Sequence, residues 1–279
     1  MASEASRYEQ ILYDVEDRVA TVTLNRPERL NAWTDRMGAE VKHAIAVAEA
    51  DRDVAVILLT GAGRGFCSGA DLKMLKSISD GAAKGQNVDG LDADPGDADM
   101  EDGFRETYTY LMSVRKPVIA AINGPCAGMA VPISLACDLR FASDTAVFTT
   151  AFSQRGLVAE WGIAWLLPRL VGPANALDLL FSARKVSAGE AERMGLVNRV
   201  LPADELIPFA RKYALDLIAN CSPASMQIMK RQVYEALHEP LGPAHDKAVR
   251  LMFESFKKPD FKEGVEAFLE KRSPEFDPV

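Results

Sequence analysis

The period of the hydrophobic positions changes several times along the chain, and each change marks an element. In "ILYDVEDRVATVTLNRP", residues 11–27, apolar and polar positions alternate and β-branched residues are frequent, which predicts a β-hairpin turning at Glu16-Asp17 and closed by Pro27. From Thr34 the spacing becomes three and four, through Met37, Val41, Ile45 and Ala48, the stripe of an amphipathic helix. The continuous apolar run "VAVILLTG", ending at Gly61, suits a strand covered on both faces. A glycine-rich turn follows, and then "LKMLKSI" reads as helix. Two more buried strands, "VIAAING" at 118–124 and "LRFAS" at 139–143, flank a short helix beginning near Gly128. A further helix is expected to start near Trp161.

Strand-strand-helix alternation of this kind predicts an α/β fold. From Asp204 onward the pattern is helical, broken by Pro223, Pro240, Pro243 and Pro259. The expected organisation is therefore a core over residues 1–201 and a helical C-terminal region over 202–279. Residues 77–103, "SISDGAAKGQNVDGLDADPGDADMEDG", interrupt the pattern. Poor in apolar residues and rich in Asp and Gly, they are expected to form a mobile surface loop that folding does not need. A calcium loop starting at Asp92 fits badly, because Pro95 and Gly96 stand where ligands belong and the closing Glu is misplaced.

Charge narrows the function classes. Of the 279 residues, 40 are Asp or Glu and 32 Lys or Arg, a net charge of −8 that disfavours nucleic acid or an anionic membrane as the main partner. The apolar run around Gly162–Leu167 is too short to span a bilayer. Cys67, Cys126, Cys137 and Cys221 form no CxxC pair and have no nearby histidine, so they read as reduced core residues rather than metal ligands. With no secretory pattern in "MASEASRYEQ", a cytoplasmic location is expected.

Two glycine turns carry the candidate chemistry. "GAGRGFCSGADL", residues 61–72, follows a predicted strand but is neither a P-loop, lacking Gly-Lys-Ser/Thr, nor a dinucleotide fingerprint, since Phe66 replaces the third glycine. Its glycines instead allow a tight turn that exposes N–H groups, notably that of Ala70. In "NGPCAGMAVP", residues 123–132, a helix starting near Gly128 leaves its first amides unpaired, including that of Met129. Pro132 suits a first turn. Paired backbone amides of this sort stabilise an oxyanion or enolate.

These turns, together with "LNRPERLNAW" at 24–33, "AAINGPCAGMAVPISLACDLRFAS" at 120–143 and "FSARKVSAGEAERMGLVNRVLP" at 181–202, resemble the crotonase, or enoyl-CoA hydratase/isomerase, superfamily over nearly the whole chain. The resemblance implies a spiral of strand-strand-helix units with a C-terminal helical trimerisation region, and hence a homotrimer or a dimer of trimers. It implies an acyl-CoA substrate whose thioester carbonyl lies between the amides of Ala70 and Met129. Coenzyme A enters as part of that substrate, and no metal or redox cofactor is implied. Arg29, Leu30, Ala32, Ser68, Asp71, Leu72, Phe152 and Trp161 correspond to candidate substrate-contacting positions, and Lys73 is either a phosphate contact or a solvated helix lysine.

One departure from the hydratases is informative. At the family's two glutamate positions this chain has Pro132 and Phe152, neither of which moves a proton. Glu160, in the otherwise apolar "GLVAEWG", corresponds instead to the acid of single-acid enoyl-CoA isomerases. Val158, Trp161 and Phe152 are expected to desolvate it. Asp71 reads as a helix N-cap, Asp138 as a structural hydrogen-bonding residue, and the three histidines lie outside every motif. The reading is double-bond isomerisation through Glu160. The alternatives are a hydratase, a hydrolase or dehalogenase-like enzyme using Glu160, and a non-catalytic acyl-CoA-binding protein.

Overall fold

A computed structural model describes residues 8–82 and 88–279. The hairpin consists of β1 (Ile11–Glu16) and β2 (Val19–Leu24), paired so that Glu16 faces Val19. That register leaves Asp17-Arg18 as the two turn residues, one position later than the sequence suggests. Both take left-handed φ, 49° and 66°, as a two-residue hairpin turn demands.

The remaining strands of the main sheet are β3 (Val56–Gly61), β4 (Val118–Ile122), β6 (Leu139–Ser143) and β9 (Arg199–Leu201). Their order is β1-β2-β3-β4-β6-β9, with every pair after the hairpin parallel. Parallel neighbours need crossovers, and the crossovers cover both faces. On one face Ile57, Leu59, Ala120 and Ile122 join a core with Met37, Val41 and Ile45 from α1 (Asp35–Ala50). On the other, Val56, Leu58, Ile119, Ala121 and Phe141 pack against Leu206, Ala210 and Ala214 of α7 (Leu206–Asn220). This two-sided burial is why "VAVILLTG" shows no alternation.

Between these strands lie α2 (Leu72–Ser79), β5 (Cys126–Ala127), α3 (Ala130–Ala136), β7 (Val147–Thr149), α4 (Ile163–Val171), α5 (Pro173–Ser182), β8 (Val186–Ser187) and α6 (Ala188–Arg193). Strands β5, β7 and β8 form a second, three-stranded sheet. The chain ends in α8 (Pro223–Ala236), α9 (Leu241–Ser255) and α10 (Pro259–Glu270), which leave Met229, Val233, Phe253, Phe268 and Leu269 exposed.

The acidic segment is not the loose loop that its composition suggests, although residues 83–87 of it lie outside the described residues. Leu91 and Met100 enter the main core with Phe104 just beyond the segment, and the buried Glu49 carboxylate accepts from the amides of Gly96 at 2.6 Å and Arg115 at 2.8 Å. Asp94 pairs with Arg105, and Asp97 with Arg231 at 2.9 Å. A few apolar anchors and specific ion pairs thus order a stretch in which apolar residues are scarce. Of the carboxylates in the calcium loop considered from Asp92, Asp94 is already occupied by Arg105. Truncating the anchor tests this: Met100→Ala should cost about 2–5 kcal/mol, seen as a lower urea midpoint. An unchanged midpoint would mean that the segment is not packed.

Candidate active site

The site is built where three segments run side by side. Cys67 N–H donates to Pro125 O and Ala127 N–H to Cys67 O, both at 3.0 Å, tying the first glycine turn to the second. On the opposite edge, Ser68 N–H donates to Leu30 O at 2.9 Å, Trp33 N–H to Gly69 O at 2.8 Å, and Asp71 N–H to Trp33 O at 2.8 Å. The strap carrying "ERLNAW" is thereby locked alongside. Asn31, fully buried, fastens it further by donating to Gly65 O at 2.7 Å and Ala62 O at 3.0 Å.

Gly69 is a point of close approach between the two turns. Its φ is 95°, and a Cβ there would lie 2.9 Å from Ala127 O and 3.7 Å from the Gly128 Cα. Only glycine permits both the dihedral and the contact. The residues that follow, Ala70 and Met129, line one cavity of about 750 Å³, and neither amide donates a hydrogen bond to a described residue. Two unpaired N–H groups on touching turns are equipped to hold a developing oxyanion. Cys67 and Cys126 lie beneath them, and burial pushes the Cys67 thiol up to about 12, which keeps it protonated near neutral pH.

Two carboxylates line the cavity, and they differ in what they touch. Asp71 caps α2, accepting from Lys73 N at 2.9 Å, and it pairs with Arg26 at 2.9 Å. Burial alone would raise its pKa, but the Lys73 amide and the Arg26 guanidinium outweigh burial and hold it below the usual carboxylate range. The Glu160 carbonyl accepts from Ile163 N–H at 3.1 Å, but its carboxylate makes no hydrogen bond or ion pair to any described residue. It sits in a loop rather than in a helical first turn: Trp161 and Gly162 are both left-handed, at φ 56° and 77°, and α4 begins only at Ile163. The expected apolar cover is also incomplete. Phe152 is 4% exposed, but Val158 is 76% and Trp161 43% exposed.

Of the positions singled out in the sequence, Arg29, Ala32, Ser68, Ala70, Asp71, Leu72, Met129, Phe152, Glu160 and Trp161 line the cavity, as does Lys73. Leu30 does not: at φ 50° its side chain turns toward Gly65, while its carbonyl accepts from Ser68 N–H and its N–H donates to Pro27 O. Pro132 is buried in α3, and Asp138 accepts from Val118 N–H at 2.7 Å and the Tyr234 hydroxyl at 2.9 Å. Sequence reasoning passed over Arg26, Arg155, Arg184 and Lys185, which add cations to the rim. Arg184 is tied to Asp178 and Glu190, whereas Arg29, Lys73 and Lys185 form no ion pair with a described residue. Their clustering on a chain of net charge −8 was the available signal. Among the described residues no cluster of His, Cys, Asp or Glu is arranged to hold a metal ion, and no helix is long and apolar enough to cross a membrane.

Comparison with known proteins gives concordant results. Residues 14–278 match the family model described as enoyl-CoA hydratase/isomerase. A probable enoyl-CoA hydratase of Mycobacterium leprae is 36% identical over 272 residues, covering 97% of this chain and 98% of the relative. A 1,2-epoxyphenylacetyl-CoA isomerase of Escherichia coli is 35% identical over 269 residues, covering 96% and 98%. The crystal structure of a putative enoyl-CoA hydratase/isomerase family protein from Hyphomonas neptunium superposes with a TM-score of 0.84 at 31% identity, covering 99% of this chain and 100% of that one.

The Asp71 cap has a pH signature. A carboxyl held low in the folded state stabilises fully above its unfolded pKa of about 3.9, and that contribution is lost as pH falls through the lower folded value. Asp71→Ala should therefore lower the unfolding free energy by about 1 kcal/mol at neutral pH. The gap between wild type and variant should close on acidification below about pH 4, followed by chemical denaturation across pH.

Proposed function

The chain belongs to the enoyl-CoA hydratase/isomerase family, and from that premise we propose that it isomerises the double bond of an enoyl-CoA with Glu160 as its one acid/base group. The observation carrying this reading is the Glu160 carboxylate itself, lining the cavity with no partner among the described residues, while the other lining acid, Asp71, is committed to a helix cap and an arginine. In the proposed reaction the thioester oxygen accepts from the Ala70 and Met129 amides. Glu160 takes a proton from C2, the negative charge spreads onto the thioester oxygen, and the same proton is returned at C4. One carboxylate suffices, because it ends the cycle as it began.

Hydration, by contrast, needs water activated and a proton delivered, tasks for two acids. Pro132 and Phe152 stand at the family's two glutamate positions. The relatives' names include both a hydratase and an isomerase, so the missing acids, not the names, favour isomerisation. Arg29, Lys73 and Lys185 supply positive charge for the substrate's phosphates, with Arg29, Ala32, Ser68 and Leu72 contacting its coenzyme A part and Phe152 and Trp161 its acyl group. The reading needs no metal or redox cofactor, and four free thiols suit a reducing cytoplasm.

A general base contributes about 10²–10⁴-fold. Glu160→Gln should lose a factor of that order in turnover with acyl-CoA affinity little changed, and wild type in D₂O should exchange the α-protons of a bound acyl-CoA while the variant does not. Rapid hydration of crotonyl-CoA that survives Glu160→Gln would sink the assignment.

The exposed apolar side chains of α8, α9 and α10 fit subunit contacts, and a trimer or a dimer of trimers is the proposed assembly. Sedimentation equilibrium should then give three or six times the 30.4 kDa chain mass. A monomer at micromolar concentration would contradict it.

A further inference from the structure

A second strained turn stands behind the Glu160 loop. Tyr108 lies at φ 69°, ψ −36°, a region that a bulky side chain occupies only when its surroundings hold it there. It is buried, and it is not among the residues lining the cavity. Its ring meets Trp161 edge-to-face with centroids 5.3 Å apart, and on its other side Trp33 in the same manner at 5.6 Å.

The next residue repeats the contact. A Cβ built on Gly162 would lie 3.1 Å from the Thr109 methyl, so Gly162 rests directly on Thr109. The two residues after Glu160 are thus seated on two consecutive residues of the strained turn. The left-handed backbone at Trp161 and Gly162 occurs at those seats. The turn is itself anchored: the Thr109 hydroxyl donates to Gly103 O at 2.8 Å, Lys230 Nζ to Leu111 O at 2.9 Å, and Tyr110 and Leu111 are buried. Burial first, then the neighbouring Cys67, Asp35 and Glu160, push the Tyr108 phenol well up, so it packs as a neutral ring within electrostatic reach of Glu160.

We propose that Tyr108, seconded by Thr109, is a positioning residue that holds the Glu160-Trp161-Gly162 turn so that the carboxylate faces the cavity. It touches neither substrate nor reacting atoms, and its role rests on the reading of Glu160 as the base. A misplacement of about 1 Å in a catalytic group costs up to about 10²-fold, which sets the scale of the effect.

Tyr108→Leu should lower kcat about 10- to 100-fold with acyl-CoA dissociation constants unchanged, and Tyr108→Phe, which keeps the ring, should restore most of the rate. In a Glu160→Gln background Tyr108→Leu should cost almost nothing further, because a residue acting through Glu160 has nothing left to position. An equal fold-loss in both backgrounds overturns the proposal. Independently of activity, deuterium uptake by the amides of residues 157–163 should rise in Tyr108→Leu and stay at the wild-type level in Tyr108→Phe. If Tyr108→Leu fails to fold, Thr109→Ser, which removes only the methyl beneath Gly162, should raise uptake over the same residues, and no rise overturns the proposal. Full activity of Glu160→Gln alone would remove the base assignment, and the uptake measurement would still decide whether Tyr108 holds the turn.

Discussion

Everything at the candidate site depends on how closely two glycine turns approach each other. Gly69 and Gly128 bring two backbones into contact that any side chain at Gly69 would separate, and the amides of the residues that follow are left pointing at one cavity. The hydrogen bonds of Cys67 with Pro125 and Ala127 set the register of that approach. The strap from Arg29 to Trp33 braces it from the other side. Because the donors are main-chain groups, their direction is held by the fold rather than by rotamers, which is what charge stabilisation without reorganisation requires.

Within this frame, acids are divided by what they can reach. Asp71 is close to both a helix start and Arg26, and it is occupied by them. Glu49 is buried and occupied by the amides of Gly96 and Arg115. The Glu160 carboxylate has no such partner among the described residues, and the first amide of α4, that of Ile163, donates to the Glu160 carbonyl instead. A carboxylate without a described partner thus lines the same cavity as two unpaired amides on touching turns.

The acidic segment connects this site to the rest of the molecule. Met100 and Phe104 anchor it in the core, Asp97 ties it to α8 through Arg231, and Gly103 accepts from the Thr109 hydroxyl beneath Gly162. A stretch that composition marks as expendable is thereby continuous with the floor of the Glu160 loop.

Strands β1 to β4 and β6, the α1 stripe, the cap at Asp71 and the family can all be read from the order of residues alone, because local periodicity and turn chemistry carry those features, whereas the short β5, β7, β8 and β9 left no such pattern. The resemblance also pointed to Ala70, Met129 and Glu160 by position along the chain. Three-dimensional packing was needed to establish that Leu30 faces Gly65 rather than the cavity, and that Val158 and Trp161 leave Glu160 partly open. It was needed equally to show that residues 88–103 are packed, and that Tyr108 lies under Trp161. Each of these turns on a left-handed φ or on a partner dozens of residues away, such as Glu49 for Gly96 or Thr109 for Gly162. A pattern that reports which residues are apolar does not report which distant groups they will meet.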